Sequence, residues 1–416
     1  MPNHHRATLR REANTMTGSE PDREHASPPG AEPASCVRAR PEQAVAWVEA
    51  NTASLPAESV ALADAGGRTL ASAWAAPSDL PRLAAAADDG YALSAAATVG
   101  ASDYNPLPFR LAPARAAPLG PGEAAPVHSG EPLPAGADAV VAVEDASVRG
   151  ELLEVGAAVA VGANTIGAGE ETARGQPLLE SGRRLRAQDL ALLALAGVER
   201  VDVVRRPRLR LLLAGAGPAS PDALMVRGLL QRDGAELEAC EAVTDAEALE
   251  NRLREPGADL ILVCGGSGDG TNDFGAAALA RSGRMQFGGI AMNPGETTRL
   301  GQVDATPVML LPGAPLACLY AYEWFAGRAL RRLAGGSGEW PYGTRRALLS
   351  RKVASTLGRL EFCRVRLDGD KAEPLAVTDG RLLSSAVRAD GFVPIAPSSE
   401  GHPEQTEVTV WLHTIT

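Results

Sequence analysis

Between residues 207 and 335 short apolar runs alternate with amphipathic segments, and that alternation leaves few folds open to the chain. RLRLLLAG, DLILVCGG and PVMLLPG are compact apolar runs that end in glycine. Around them PDALMVRGLLQRDG, AEALENRLRE, FGAAALARSG and PLACLYAYEWFAGRALRRL read as helices, with Gly234 closing the first and Asp245 placed to cap the second. Strands alternating with helices predict a parallel sheet packed on both faces. Ligand chemistry in such sheets gathers at the carboxyl ends of the strands. Three glycine-bearing stretches follow those ends: AGAGP, CGGSGDGTND and LPGAP.

The flanks follow another pattern. Residues 1–40 carry no hydrophobic periodicity and read as a disordered leader, with Met16 an alternative start. Residues 41–75 open with a helix, Ala44, Val45, Trp47 and Val48 behind Pro41, and continue as a linking segment turning at Gly66 and Gly67. Residues 76–175 are short alternating segments divided by Pro and Gly, the pattern of a β-rich domain. Residues 176–206 read as a second linking segment, with a helix near 187–196 and the strand VERVDVV. Alternation returns over 340–416 in FCRVRL, FVPIAP and EVTVWL, a C-terminal β domain. The expected fold class is multi-domain α/β plus β: a central parallel α/β domain, an inserted β-rich domain and a C-terminal β domain.

Composition narrows the function. With a net charge of −11 and aromatics at 4%, neither a basic face nor a base-stacking surface is expected, so nucleic acid and anionic membrane are poor partners. An acidic chain holds an anion through backbone N–H groups, helix N-termini or a divalent cation. Cys36, Cys240, Cys264, Cys318 and Cys363 are scattered without a C-x-x-C pair, which fits reduced thiols in a cytoplasm. No apolar run approaches a membrane span, and Arg10-Arg11 lacks the apolar stretch of an export signal.

The sharpest local feature is CGGSGDGTNDF, residues 264–274. Gly265 and Gly266 let the backbone approach a ligand, and N–H groups leading into the helix expected to start near Asp273 can hold a phosphate or pterin oxygen. Asp269 and Asp273 are spaced to share magnesium with a phosphate. Spacing weighs this equally against an ordinary turn in which Asp273 caps the next helix. In LLPGAP, Pro312, Gly313 and Pro315 read first as a rigid strand-to-helix turn and second as a preorganised ligand contact. Asp88-Asp89 and Glu170-Glu171 read locally as solvated loop charges.

The order of these pieces is more specific than any one of them. From about Pro41 to the C-terminus the chain resembles the molybdopterin molybdenumtransferase family, which includes the E domain of gephyrin. AADDGYA, HSGEPLPAGADAVVAVED, CGGSGDGTNDF, MNPG, LPGAP and LLSSAVRADGFV resemble its landmarks, in the family order. The resemblance implies insertion of molybdenum from molybdate into adenylylated molybdopterin, with release of AMP and help from magnesium. It implies a homodimer with sites near the subunit interface, and transient contact with other molybdenum-cofactor proteins. By position it makes Asp89, Glu171 and Asp273 catalytic. Gly265, Gly266, Ser267, Asp269, Pro312, Gly313, Pro315 and Ser384 become pterin-binding, and Asp269 with Asp273 metal-binding.

The chain departs from the pattern where the family carries charge. The Thr-Gly-Asp-Glu acidic pair becomes Ala216 and Gly217, and both lysines of Lys-Pro-Gly-Lys-Pro become Asn293 and Glu296. An earlier lysine is Gly289, and the asparagine of Leu-Pro-Gly-Asn-Pro is Ala314. A glutamate in place of a pocket lysine repels an anion that lysine would attract. Three readings stay open: an insertase with a modified anion site, a non-catalytic cofactor-binding paralogue acting as carrier or scaffold, and a different α/β transferase sharing only the sheet.

Overall fold

The computed structural model describes residues 38–112, 118–270, 273–376 and 382–413. The leader expected over 1–40 lies almost wholly outside the described residues, as does Cys36.

The central unit runs β1 (Arg208–Ala214), α1 (Pro221–Asp233), β2 (Glu236–Val243), α2 (Ala246–Arg254), β3 (Leu260–Cys264), α3 (Gly275–Ser282), β4 (Arg284–Phe287), β5 (Arg299–Val303), β6 (Thr306–Leu311) and α4 (Pro315–Ala321). Ser220 Oγ accepts from the Ala223 N–H at 3.3 Å to start α1, and Gly234 at φ 77° ends it. Asp245 caps α2, accepting from the Ala248 N–H at 2.8 Å. The strands lie in the order β2-β1-β3-β6-β5-β4. Leu211, Leu213 and Leu262 pack against α1 and α4, while Leu212, Val263 and Leu310 face α2 and α3. All five residues of β3 are buried, as a strand covered on both faces must be.

The expected parallel sheet is present and is extended by an antiparallel edge. β2, β1, β3 and β6 are parallel, but β5 pairs antiparallel with β6 and β4 antiparallel with β5. Val303 opposes Thr306, so only Asp304 and Ala305 join β5 to β6, with Asp304 at φ 51°. A two-residue connection makes a hairpin and cannot carry the crossover that parallel strands require. The long helix after β6 is also not uniform. From α4 it passes through a π-turn at Tyr322–Ala326 before resuming over Gly327–Leu333.

The two stretches read as linkers form one layer. Ala57–Ala61 pairs antiparallel with Arg200–Val204, and Trp74–Ala75 with Pro177–Leu179. Ala65 and Leu70 from the first stretch share a core with Leu179, Leu185, Leu193 and Val203 from the second. Local periodicity cannot show a pairing between segments so far apart in sequence. Between them a six-stranded sheet spans Gly90 to Val155. At the C-terminus, strand Leu360–Asp368 pairs on one side with Lys371–Ala376 and on the other with Gly391–Ile395, closing a barrel through Thr344–Leu349 and Glu407–Leu412. The barrel is attached to the central unit by backbone and by side chains: Met292–Asn293 adds a short parallel strand beside Leu360 and Glu361, and Tyr320 stacks on Phe362 at 4.3 Å.

Candidate functional site

The sheet reverses its strand order at β1, whose crossovers lead to β2 on one side and β3 on the other. Such a switch point leaves a crevice beyond the carboxyl ends of the strands. Here the loops after β1, β3 and β6 close on one another through glycine. Gly265 stands at φ 83° and donates its N–H to the Leu311 carbonyl at 3.0 Å; a Cβ there would sit 2.8 Å from the Ala214 oxygen. Gly275 opens α3 with its N–H on the Gly266 carbonyl at 3.0 Å, and a Cβ would lie 2.5 Å from that oxygen. Side chains at either place would push the loops apart.

The result is a cleft of about 550 Å³. Residues 266–268 form one wall, 293–297 a second and 312–314 a third, with Ala317 of α4 and Asp273 completing it. Of the residues singled out in the sequence, Gly266, Ser267, Asp273, Pro312 and Gly313 line it together. Gly265 supports it from beneath, and Pro315 occupies the first turn of α4. Ser267 is buried, and its hydroxyl lies 3.1 Å from that of Thr297, tying the first wall to the second.

Asp273 is not the cap of α3. That helix begins behind Phe274, which offers no capping side chain, while Asp273 Oδ2 turns back to accept the Gly270 N–H at 3.0 Å. The carboxylate closes its own loop, and its Oδ1 has no hydrogen-bond partner among the described residues. Asp269 faces solvent and pairs with Arg299 at 2.5 Å.

Arg299 was not anticipated. Its side chain is buried at the start of β5, with Nε donating to the Ser267 carbonyl at 2.7 Å and Nη2 to the Gly268 carbonyl at 3.2 Å. An arginine opening a strand reads as an exposed end charge, and nothing local in TTRLGQV shows that it reaches under the loop after β3. Asn293, in a family lysine position, donates to the buried Glu361 at 3.2 Å and so joins the cleft to the barrel.

The charged residues on the cleft wall are Asp273 and Glu296. An anion entering it therefore meets carboxylates on the wall, and a divalent cation is one means of bridging such a ligand to the protein. Beneath the floor, Cys264 and Cys318 bring their sulfurs to 3.9 Å. The contact with Cys264, together with burial, pushes the Cys318 thiol well above its ordinary pKa, so it stays protonated and unreactive.

Asp89, Glu171 and Ser384 do not line this cleft. Asp89 accepts the Ser129 N–H at 2.8 Å, with His128 Nδ1 at 3.6 Å. Glu171 is exposed, held by its backbone to the Leu80 carbonyl at 3.0 Å. Ser384 is exposed at the start of a single helical turn in the C-terminal barrel region. Among the described residues no group of three His, Cys, Asp or Glu side chains is arranged to hold a metal by protein ligands alone.

Comparison with known proteins agrees with this geometry along most of the chain. Residues 39–197 match the MoeA N-terminal region (domain I and II), residues 221–332 the Probable molybdopterin binding domain, and residues 346–413 the MoeA C-terminal region (domain IV). Molybdopterin molybdenumtransferase 2 of Mycobacterium tuberculosis is 30% identical over 337 residues, 74% of this chain and 83% of that protein. A molybdopterin molybdenumtransferase of Staphylococcus aureus is 25% identical over 328 residues, 72% of this chain and 77% of that protein. A crystal structure of the molybdopterin biosynthesis MoeA protein from Pyrococcus horikoshii superposes with a TM-score of 0.71 at 28% identity, covering 91% of this chain and 99% of that one. With all three regions matched in order, and the strand-end cleft where the sheet predicts it, this chain belongs to the MoeA family of molybdopterin molybdenumtransferases.

Proposed function

We propose that this chain works in molybdenum cofactor biosynthesis, inserting molybdenum from molybdate into adenylylated molybdopterin with release of AMP. The observation that carries the reading is the meeting of three strand-end loops in one cleft within a chain of this family. Gly266, Ser267 and Gly268 line the wall that would meet the ligand's oxygens, and Pro312 and Gly313 give the cleft a rigid wall.

Magnesium fits this cleft better as a bridge than as a caged ion. It keeps several waters and takes one or two carboxylates together with phosphate oxygens. Asp273, whose Oδ1 has no partner among the described residues, is the carboxylate suited to it, and Asp269 joins when its exposed pair with Arg299 opens. When bound, the ion neutralises phosphate charge that the lost lysines do not.

We place the complete site at the interface of a homodimer. The partner subunit's Asp89, the partner subunit's Glu171 and the partner subunit's Ser384 are the groups a second copy would supply. The four described cysteines are free thiols, which supports work in the cytoplasm, and no helix is long and apolar enough to cross a membrane. The same chemistry supports a small-molecule pterin ligand and transient hand-over contacts with other molybdenum-cofactor proteins. Asn293 and Glu296 in place of lysines favour one second reading, a cofactor carrier that binds the pterin without turnover.

Binding of adenylylated molybdopterin, titrated with and without magnesium, tests the assignment. Asp273→Asn should weaken the magnesium-dependent component by roughly tenfold, the worth of one charge-assisted contact, and leave folding intact. Molybdate-dependent AMP release by the wild-type chain selects the insertase over the carrier. A chain that binds no pterin refutes both.

A further inference from the structure

A second cleft, of about 820 Å³, lies where the N-terminal layer meets α1 and the loop after the last helix of the central unit. Its walls carry Arg68, Arg184, Arg206, Arg227 and Arg331 against two carboxylates, Asp233 and Glu339. This concentration of cations runs against a chain whose net charge is −11.

The pairings separate structural arginines from available ones. Arg331 donates to Asp233 at 3.1 Å, and Arg68 pairs with Glu58 and reaches the Val204 carbonyl at 3.0 Å. The carboxylates are also engaged. Asp233 takes Arg232 at 2.8 Å and the Tyr322 hydroxyl at 2.9 Å, and Glu339 lies 3.8 Å from Arg328. Three guanidinium groups have no carboxylate partner among the described residues. Among the described residues Arg184 donates to carbonyls alone, those of Gly67 at 3.1 Å and Arg232 at 3.3 Å. Arg206 and Arg227 are exposed and make no ion pair among the described residues. Glu58, Asp64 and Glu236 border Arg206 from an adjoining recess without pairing with it.

Like charges gathered in a partly enclosed space repel, and an anion seated among them relieves that cost. A guanidinium fork matches the oxygens of a phosphate in both spacing and plane. The cleft has an apolar side as well. Leu224, Arg227, Gly228 and Gln231 follow one face of α1, Leu224 is 60% exposed, and the face is open where Gly228 has no side chain. We propose that this cleft binds a small organic phosphate, with its oxygens on Arg184, Arg206 and Arg227 and its apolar body over Leu224 and Gly228. The site is distinct from the strand-end cleft and does not depend on the reading given above.

Phenyl phosphate and inorganic phosphate, titrated calorimetrically into the full chain in low salt with EDTA present, are the probes. EDTA removes divalent ions and so silences any magnesium-bridged binding at the strand-end cleft. Phenyl phosphate should bind more tightly than phosphate. Arg206→Gln with Arg227→Gln should weaken it by roughly tenfold or more, since each loses a charge-assisted contact. Both residues are exposed and make no ion pair among the described residues, so the fold should survive, as circular dichroism will show. In the wild-type chain, hydrogen exchange over residues 224–231 should slow when phenyl phosphate is added. Absence of binding, equal affinity in the double variant, or protection elsewhere but not over 224–231 overturns the assignment.

Discussion

Arg299→Met removes the guanidinium that ties the loop after β3 to the start of β5. Two of its bonds end on backbone oxygens, Ser267 at 2.7 Å and Gly268 at 3.2 Å, and the residue is 6% exposed. Bonds from a charged donor contribute about 1.5–3 kcal/mol each, and losing one leaves a carbonyl to find another partner. The variant also stops burying a charge, which offsets part of the loss. The third bond, to Asp269, is different: that carboxylate is 92% exposed, and an ion pair so placed contributes about 0–1 kcal/mol. The net expectation is a local destabilisation of about 2 kcal/mol for Arg299→Met and under about 1 kcal/mol for Asp269→Asn. Native-state hydrogen exchange reads this at the loop itself. The Gly265, Gly270 and Gly275 N–H groups are each hydrogen-bonded, and about 2 kcal/mol corresponds to roughly thirtyfold faster exchange through local opening. Unchanged exchange in Arg299→Met would refute the clamp, and an equal effect from Asp269→Asn would show that the ion pair and not the carbonyl bonds holds the loop.

Two further outcomes concern stability. Asp189, buried in the N-terminal layer, accepts from Arg183 at 2.9 Å and from the Arg186 N–H at 2.9 Å; the Arg183 guanidinium, foremost, holds its carboxyl well below the usual range. Because the folded value is depressed, the contribution is present above the unfolded value near about 4 and is lost as pH falls below it, so Asp189→Asn should cost about 2 kcal/mol in neutral urea titrations and progressively less in acid. His413 is pushed below its ordinary value by burial, against the Ala389 carbonyl at 3.3 Å. The unfolded chain therefore binds the proton more readily, and wild-type unfolding midpoints should drop between about pH 7 and pH 5 while those of His413→Phe change less; parallel profiles would count against it.

What the sequence made legible was local or periodic. Gly234 and Asp245 cap their helices as read, because each needs only its neighbours in the chain. Leu260 to Cys264 was recognisable as a buried strand because every residue in it is apolar. Spacing left Asp273 open between a ligand-loop carboxylate and a helix cap, because two nearby sets of N–H groups compete for it and spacing does not tell the Gly270 turn from the first turn of α3. Arg299 was missed for a different reason: its partners are contributed by a loop that precedes it by a helix and two strands. The lost lysines at Asn293 and Glu296 were visible, but the cation below the loop that remains was not.

The N-terminal layer has a topological consequence. Its strands leave toward residue 76 and return at residue 177 side by side, and at that seam the Gly175 N–H reaches the Ala76 carbonyl at 2.8 Å while the Ala76 N–H meets Gln176 at 3.2 Å. Everything between, including Asp89 and Glu171, is a closed excursion whose two ends touch. The polypeptide is thus modular by geometry as well as by sequence. The excursion can lengthen, shorten or change its side chains in evolution while its ends stay stitched together, so that the part presenting Asp89 and Glu171 is free to diverge at a different pace from the sheet that forms the cleft.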